Sequence, residues 1–125
     1  MPIRVLQVLP DLSAGGAEGF ATNLAVSQVE NGAEVRFLLM AGVRDKRGEA
    51  LCSDLHQAGI EVIGAREHNV RSPMNLVRLV SLINSWHPNV VHAHLYSAEV
   101  LVAVARAISL RGDVCYTRTL HSTDI

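Results

Sequence analysis

Ile3-Arg4-Val5-Leu6-Gln7-Val8-Leu9-Pro10-Asp11-Leu12-Ser13-Ala14-Gly15-Gly16-Ala17-Glu18 is the stretch that decides the fold. The run from Ile3 to Leu9 is short, mostly apolar and stopped by Pro10-Asp11, the pattern of a strand buried on both faces. Adjacent glycines follow. From there Ala17, Phe20, Ala21, Leu24 and Ala25 recur at the spacing of one helical face. Asn31-Gly32 closes that helix with residues that tolerate left-handed backbone. A buried strand, a glycine turn and an amphipathic helix together open a βαβ unit.

The alternation continues along the chain. Val35 to Met40 reads as a second strand and Lys46 to Ala58 as a second helix, stopped at Gly59. Glu61-Val62-Ile63 is a short third strand. Ser72-Pro73 supplies an N-cap and a proline at the first helical position. The helix it opens carries Leu76, Val77, Val80 and Ile83 before Pro88 blocks extension. Val90 to His94 is a fourth strand, Ser97 to Leu110 a helix apolar on nearly every side and ended by Gly112, and Val114 to Leu120 a fifth strand. Five strands alternating with four helices predict an α/β fold, a Rossmann-like doubly wound parallel sheet in three α/β/α layers. Its crossovers should be right-handed. No fixed-period repeat, low-complexity tract or internal linker interrupts the pattern.

Composition agrees with one such domain. The 125 residues are 49% hydrophobic and 18% charged, enough apolar material for a core and too little charge for disorder. Aromatics are 4%, so Val, Leu, Ile and Ala must build that core. A net charge of -1 carries no basic footprint for nucleic acid. Cys52 and Cys115 have no metal or redox spacing and read as small buried thiols of a reducing compartment. Met1-Pro2-Ile3-Arg4 runs into a strand without a signal-peptide layout, and no apolar run reaches the ~20 residues that span a bilayer. A soluble, cytoplasmic protein is expected, with peripheral membrane contact left open.

Ligands of open parallel sheets bind at the carboxyl ends of the strands, near the point where strand order reverses. Three segments should gather there. The first is the loop from Pro10 to Glu18, where Gly15 and Gly16 let a ligand come close to the backbone. The first N–H groups of the helix, at Ala17 and Glu18, would then face an anion such as phosphate. The spacing is neither a dinucleotide fingerprint nor a P-loop. Its place after the first strand favours a ligand loop over a turn that needs glycine for geometry alone.

The second segment is His92-Ala93-His94-Leu95-Tyr96-Ser97. Strand alternation puts His92 and His94 on one face, where zinc would need His121 as a third ligand, and no metal is expected. One of the pair should be a core histidine donating to a backbone carbonyl. His94, nearer the strand end, is the candidate for touching a ligand together with Tyr96, and capping a helix already explains Ser97. The third segment is His121-Ser122-Thr123. It suits proton transfer or phosphate binding at the carboxyl end of a strand, and equally suits a solvated terminus. Arg44 to Arg47 and Arg66 to Arg71 read as solvated runs, although the second could reach an anion at the same edge. Trp86 should pack at the end of its helix.

These segments carry a family resemblance. Val8-Leu9 through Gly15-Gly16-Ala17-Glu18 to Asn23-Leu24-Ala25 resembles the opening of family-four retaining glycosyltransferases, where a strand, a Gly-Gly-Ala-Glu loop and a helix with Asn-Leu-Ala recur. Val90 to His94 is similar to the family's fourth strand, and Tyr116 to Ser122 to its fifth strand and the histidine beyond. The resemblance implies a GT-B enzyme, in which an N-terminal domain holds the acceptor and a C-terminal domain holds most of a nucleotide-sugar donor. It places Gly15 and Gly16 near donor phosphates or an acceptor anion, with His121 beside the reacting sugar as the catalytic residue. Retention in that family is ascribed to front-face attack without metal, and no cofactor beyond the nucleotide-sugar is implied. Gly19 departs from the basic or bulky residue the family often has after Gly-Gly-Ala-Glu.

On this reading residues 1–125 are a partial N-terminal domain without the donor domain, inactive alone. The chain stops just past a strand where a covering helix is due, so further chain or self-association through an uncovered sheet surface is expected. The alternatives are a stand-alone module holding a nucleotide or anion, and an interaction subunit that docks through its sheet edge and apolar helix.

Overall fold

The computed structural model describes residues 2–12, 16–109 and 112–119. Five strands, β1 (Arg4–Leu9), β2 (Glu34–Leu39), β3 (Glu61–Ile63), β4 (Val90–His94) and β5 (Cys115–Thr119), alternate with four helices. The helices are α1 (Gly16–Glu30), α2 (Lys46–Gln57), α3 (Pro73–Trp86) and α4 (Tyr96–Ile108). All strand pairs are parallel, in the order β3-β2-β1-β4-β5. The chain therefore winds outward from β1 to β3, returns to β4 beside β1, and continues to β5. The reversal lies between β1 and β4, as in a Rossmann-like sheet.

Alternation along β1 sorts the core into two layers. Val5 and Leu9 pack with Ala21 and Ala25 of α1 and with Leu51 and Leu55 of α2. Leu6 and Val8 face the other way, onto Leu79 and Ile83 of α3 and Ala98, Val102 and Ala105 of α4. Small residues at the contact, Ala21 and Ala25 on one face and Ala98 and Ala105 on the other, let α1 and α4 lie close to the sheet. The α1 face differs from its sequence expectation. The buried positions are Glu18, Ala21, Thr22 and Ala25, while Phe20 stays 49% exposed on the flank toward β4.

The helix ends follow their local chemistry. Asp45 caps α2 by accepting from the Gly48 N–H at 2.8 Å, and Ser72 caps α3 through the Met74 N–H at 3.3 Å. His87 takes a left-handed conformation at φ 59° to stop α3 before Pro88. Helix α4 is a correction: it starts at Tyr96, with Leu95 rather than a serine at its N-cap and Ser97 already inside. The cysteines are a second correction. Cys115 is exposed on the outer strand, and Cys52 is only half-buried, at the margin of the α1/α2 layer.

The amino edge of the sheet is stapled shut. Arg4 pairs with Glu34 at 2.9 Å, donates to the Trp86 carbonyl at 2.7 Å, and its own N–H reaches Asn89 Oδ1 at 2.8 Å. Arg36 stacks over the Trp86 ring at 4.7 Å, so the tryptophan packs under guanidinium groups.

Candidate functional site

The loop after β1 does not hang free. Ala41 donates to the Pro10 carbonyl at 2.6 Å, Leu12 to the Gly42 carbonyl at 3.0 Å, and Arg44 to the Leu12 carbonyl at 2.9 Å. Leu12 and Val43 form an isolated parallel bridge, and the Val43 N–H reaches the Ala65 carbonyl at 3.2 Å. The strand ladder is thus extended past its ends by the loops after β1, β2 and β3. The close approach depends on glycine at two points. A Cβ on Gly48 would lie 2.1 Å from the Leu12 carbonyl oxygen, and one on Gly42, at φ +76°, would lie 2.4 Å from that of Glu67. Asn75, buried at the start of α3, ties the next layer in by donating to the Met40 carbonyl at 3.0 Å, with Asn69 and Val70 carbonyls at 3.3 and 3.2 Å.

This shelf delivers the chain to α1. Gly16 is the first helical residue and exposed, Ala17 is half-buried and Glu18 is buried. A Cβ on Gly16 would meet nothing within 4 Å among the described residues. Gly15, His121, Ser122 and Thr123 lie outside the described residues.

Beside it, β4 ends in the two histidines, both on the α1 face. His94 is fully buried, its Nε2 2.7 Å from Gln7 Oε1, while Gln7 Nε2 donates to Gln28 Oε1 at 3.1 Å. In that amide orientation Gln7 Oε1 can only accept, so His94 carries its proton on Nε2. His92 is half-buried and hydrogen-bonds through Nε2 to Thr119 Oγ1. The two rings lie 4.1 Å apart at a 35° tilt, and the Phe20 ring stands edge-on to His94 at 6.4 Å. A polar seam of Gln28, Gln7, His94, His92 and Thr119 therefore crosses from α1 through β1 and β4 to β5, under the apolar lid of Phe20. It can hold an imidazole in one tautomer and orientation.

The placement refines the expectations. His94 is the core histidine of the pair, and its partner is a glutamine side chain rather than a backbone carbonyl. It has no exposed surface. Tyr96 is 79% exposed and stands at the mouth of the edge. Leu95, between His94 and Tyr96, sits at φ 74° and ψ 161°, a conformation that is strained for any side chain and turns strand into helix in one residue. Gln7, Gln28, Phe20, Asn75 and Thr119 were not read as site residues from the sequence. Gln7 left a signal, as the polar residue in the apolar part of β1, and a lone buried glutamine needs a polar partner.

The rim around the shelf is cationic. Arg44, Lys46, Arg47, Arg66 and Arg71 are all exposed there. Glu67 is engaged with Arg78 at 2.7 Å, and that hydrogen bond holds its carboxyl below the ordinary carboxylate range. Among the described residues no group of three or more His, Cys, Asp or Glu is placed to hold a metal ion. No helix among them is long and apolar enough to cross a membrane.

The comparisons with known proteins converge. The family model described as Glycosyltransferase Family 4 matches residues 14–125. Among solved structures, a crystal structure of a glycosyltransferase from Rickettsia africae ESF-5 superposes with a TM-score of 0.68 at 16% identity. The match covers 96% of this chain and 30% of that one, so the chain spans under a third of that protein, and at such identity the likeness is one of fold. No curated protein matches the sequence.

Proposed function

This chain belongs to glycosyltransferase family 4, and on that premise we propose that it is the acceptor-side N-terminal domain of a two-domain GT-B enzyme. That enzyme moves a sugar from a nucleotide-sugar to an acceptor with retention, and its donor-binding domain lies outside residues 1–125. The observation that carries the reading is the pairing of β1 with β4, in register Val8 with Ala93. It brings the carboxyl ends of β1 and β4 side by side at the reversal of the sheet, where ligands of such sheets bind, and this supports a site there.

The roles follow the chemistry of the positions. Gly15 and Gly16, with the first amides of α1 at Ala17 and Glu18, offer backbone donors to a phosphate or an acceptor anion. His121, next to Ser122 and Thr123 beyond β5, would stand beside the reacting sugar, and Tyr96 would contact the acceptor at the mouth. His94, locked by Gln7, orients this corner from beneath. In front-face transfer the departing phosphate oxygen takes the acceptor's proton as the new glycosidic bond forms. The protein then contributes orientation and stabilisation of the developing anion.

The test separates donor from acceptor. Calorimetry of this chain with UDP-sugars and GDP-sugars should give no saturable heat. An assay of the longer enzyme should show sugar transfer with the anomeric configuration kept, read by NMR of the product. Saturable donor binding by this chain alone, lost on Gly16→Val, would overturn the acceptor-side assignment in favour of a stand-alone nucleotide module.

A further inference from the structure

A groove of about 580 Å³ lies between α3 and α4 on the sheet face opposite α1. It begins at the carboxyl rim, at Arg71, Ser72, Tyr96 and Ser97, and runs down between the helices over Met40 and Leu101 as far as Val104. Its volume falls in the range of small-molecule sites, roughly 300–1,000 Å³.

The surface around it is unusual for this protein. Among the described residues eight large hydrophobic side chains are exposed, and six of them, Met74, Val77, Tyr96, Val100, Val104 and Ile108, belong to α3 and α4. Single exposed apolar residues need no explanation, whereas a clustered set marks a binding surface. Tyr96, Val100, Val104 and Ile108 recur every four residues, so they form one stripe along α4. The groove lining carries no carboxylate and no side-chain amide, so it offers a sugar little to hydrogen-bond. Its one charge is Arg71, at the mouth, exposed and outside every ion pair among the described residues.

We propose that this groove binds an anionic amphiphile, with its negative group at Arg71 and the Ser72 and Ser97 hydroxyls and its apolar chain along Leu76, Val100, Leu101 and Val104. The charge complementarity is specific: a lone guanidinium at one end of an aliphatic trough matches a molecule with a negative head and an apolar tail. The inference rests on the acceptor-side reading only in making that molecule the acceptor. The groove's chemistry stands apart from it.

The probe is dodecyl phosphate, titrated into the full chain below its critical micelle concentration and followed by amide chemical shifts. Saturable shifts confined to Ser72, Tyr96, Val100 and their neighbours are expected. Arg71→Glu should weaken binding about tenfold by removing a charge-assisted contact, and Val100→Glu should weaken it at least as much. Both positions are exposed, so melting curves of the variants should match the parent. Inorganic phosphate and the neutral dodecyl maltoside should each bind far more weakly.

Equal binding of inorganic phosphate, shifts scattered over the whole surface, or affinity untouched by either variant would overturn the proposal. So would a dimer that Val100→Glu dissociates while dodecyl phosphate fails to bind, since the stripe would then be a contact between copies. If dodecyl phosphate binds as described but leaves sugar transfer by the longer enzyme unaffected, the groove stands and the acceptor assignment falls. If transfer occurs and dodecyl phosphate never binds, the groove falls and the transferase reading stands.

Discussion

The carbonyl oxygen of Leu12 lies 2.1 Å from where a side-chain carbon on Gly48 would be, so the first turn of α2 rests directly on the loop after β1. Alanine at position 48 would meet backbone, which cannot swing aside. The overpacking cost of about 1–3 kcal/mol should outweigh the helix-propensity gain of up to about 1 kcal/mol. Gly48→Ala is therefore expected to lower stability. Gly19, inside α1 with nothing among the described residues within 4 Å of a built Cβ, is the control. Gly19→Ala should raise stability by roughly 0.5–1 kcal/mol. Urea unfolding of the two variants checks the pair, and shifts of the same sign would contradict the contact.

The seam under Phe20 makes a second expectation. Gln7 accepts from His94 and donates to Gln28, all within the sheet–α1 layer. Gln7→Leu keeps the volume roughly and removes both hydrogen bonds, so the buried imidazole N–H loses its Gln7 acceptor. The loss should be about 1–3 kcal/mol. Nitrogen NMR should find His94 as the Nε2–H tautomer in the parent and a changed tautomer balance in the variant. An unchanged tautomer would mean that Gln7 does not set it.

The fold was legible because its signals are local. Alternation of apolar runs with glycine, proline and capping residues located every element, and Ser72-Pro73 marked the start of α3 to the residue. What failed was tertiary. Leu95 holds a positive φ where nothing in the sequence asks for it, because the chain must turn from β4 into α4 in one step, so Ser97 lost its expected cap. The face of α1 rotated because the two alanines, not Phe20, set the distance to the sheet. His94 looked like the accessible histidine from its place at the strand end. The side chain of Gln7, three strands earlier in the chain and adjacent in space, gives the buried ring its polar partner.

A pH dependence follows from Glu67. Its carboxyl is held below the ordinary range chiefly by the hydrogen bond from Arg78, helped by the His68 backbone N–H. A depressed folded value means that the contribution is present above the unfolded value and disappears as pH falls through the folded one. Stability of the parent should therefore exceed that of Glu67→Gln at neutral pH. The two should converge as pH is lowered through and below the ordinary carboxylate range. Added salt should shrink the neutral-pH gap, because the pair is partly exposed. Thermal unfolding across pH at two salt concentrations measures both trends.

The thiols should also differ. Burial pushes the Cys52 thiol up from its ordinary value, whereas Cys115 is exposed on β5. The thiolate is the reactive form, so burial both shields Cys52 and holds it in the unreactive thiol form, while Cys115 is open to reagent. A brief iodoacetamide pulse on this chain at neutral pH should modify Cys115 first, with Cys52 slower by roughly tenfold or more. Peptide mass spectrometry reads the order. Equal labelling would show that α2 opens faster than the reagent reacts.

Gly16 separates structure from function most cleanly. Nothing among the described residues lies within 4 Å of a Cβ built there, and its backbone is not in the left-handed region that demands glycine. The described residues give no reason for glycine at the first position of α1. Gly16→Ala should leave stability unchanged or raise it by up to about 1 kcal/mol. A ligand that approaches the opening amides of α1 would meet the added carbon. Displacement of a reacting group by about an ångström costs of the order of tenfold to a hundredfold in rate. The longer enzyme carrying Gly16→Ala should therefore melt like the parent yet lose kcat/KM on that scale, with Gly16→Val losing more. If activity and stability are both unchanged, no ligand comes close to this turn, and the glycine loop is not part of the site.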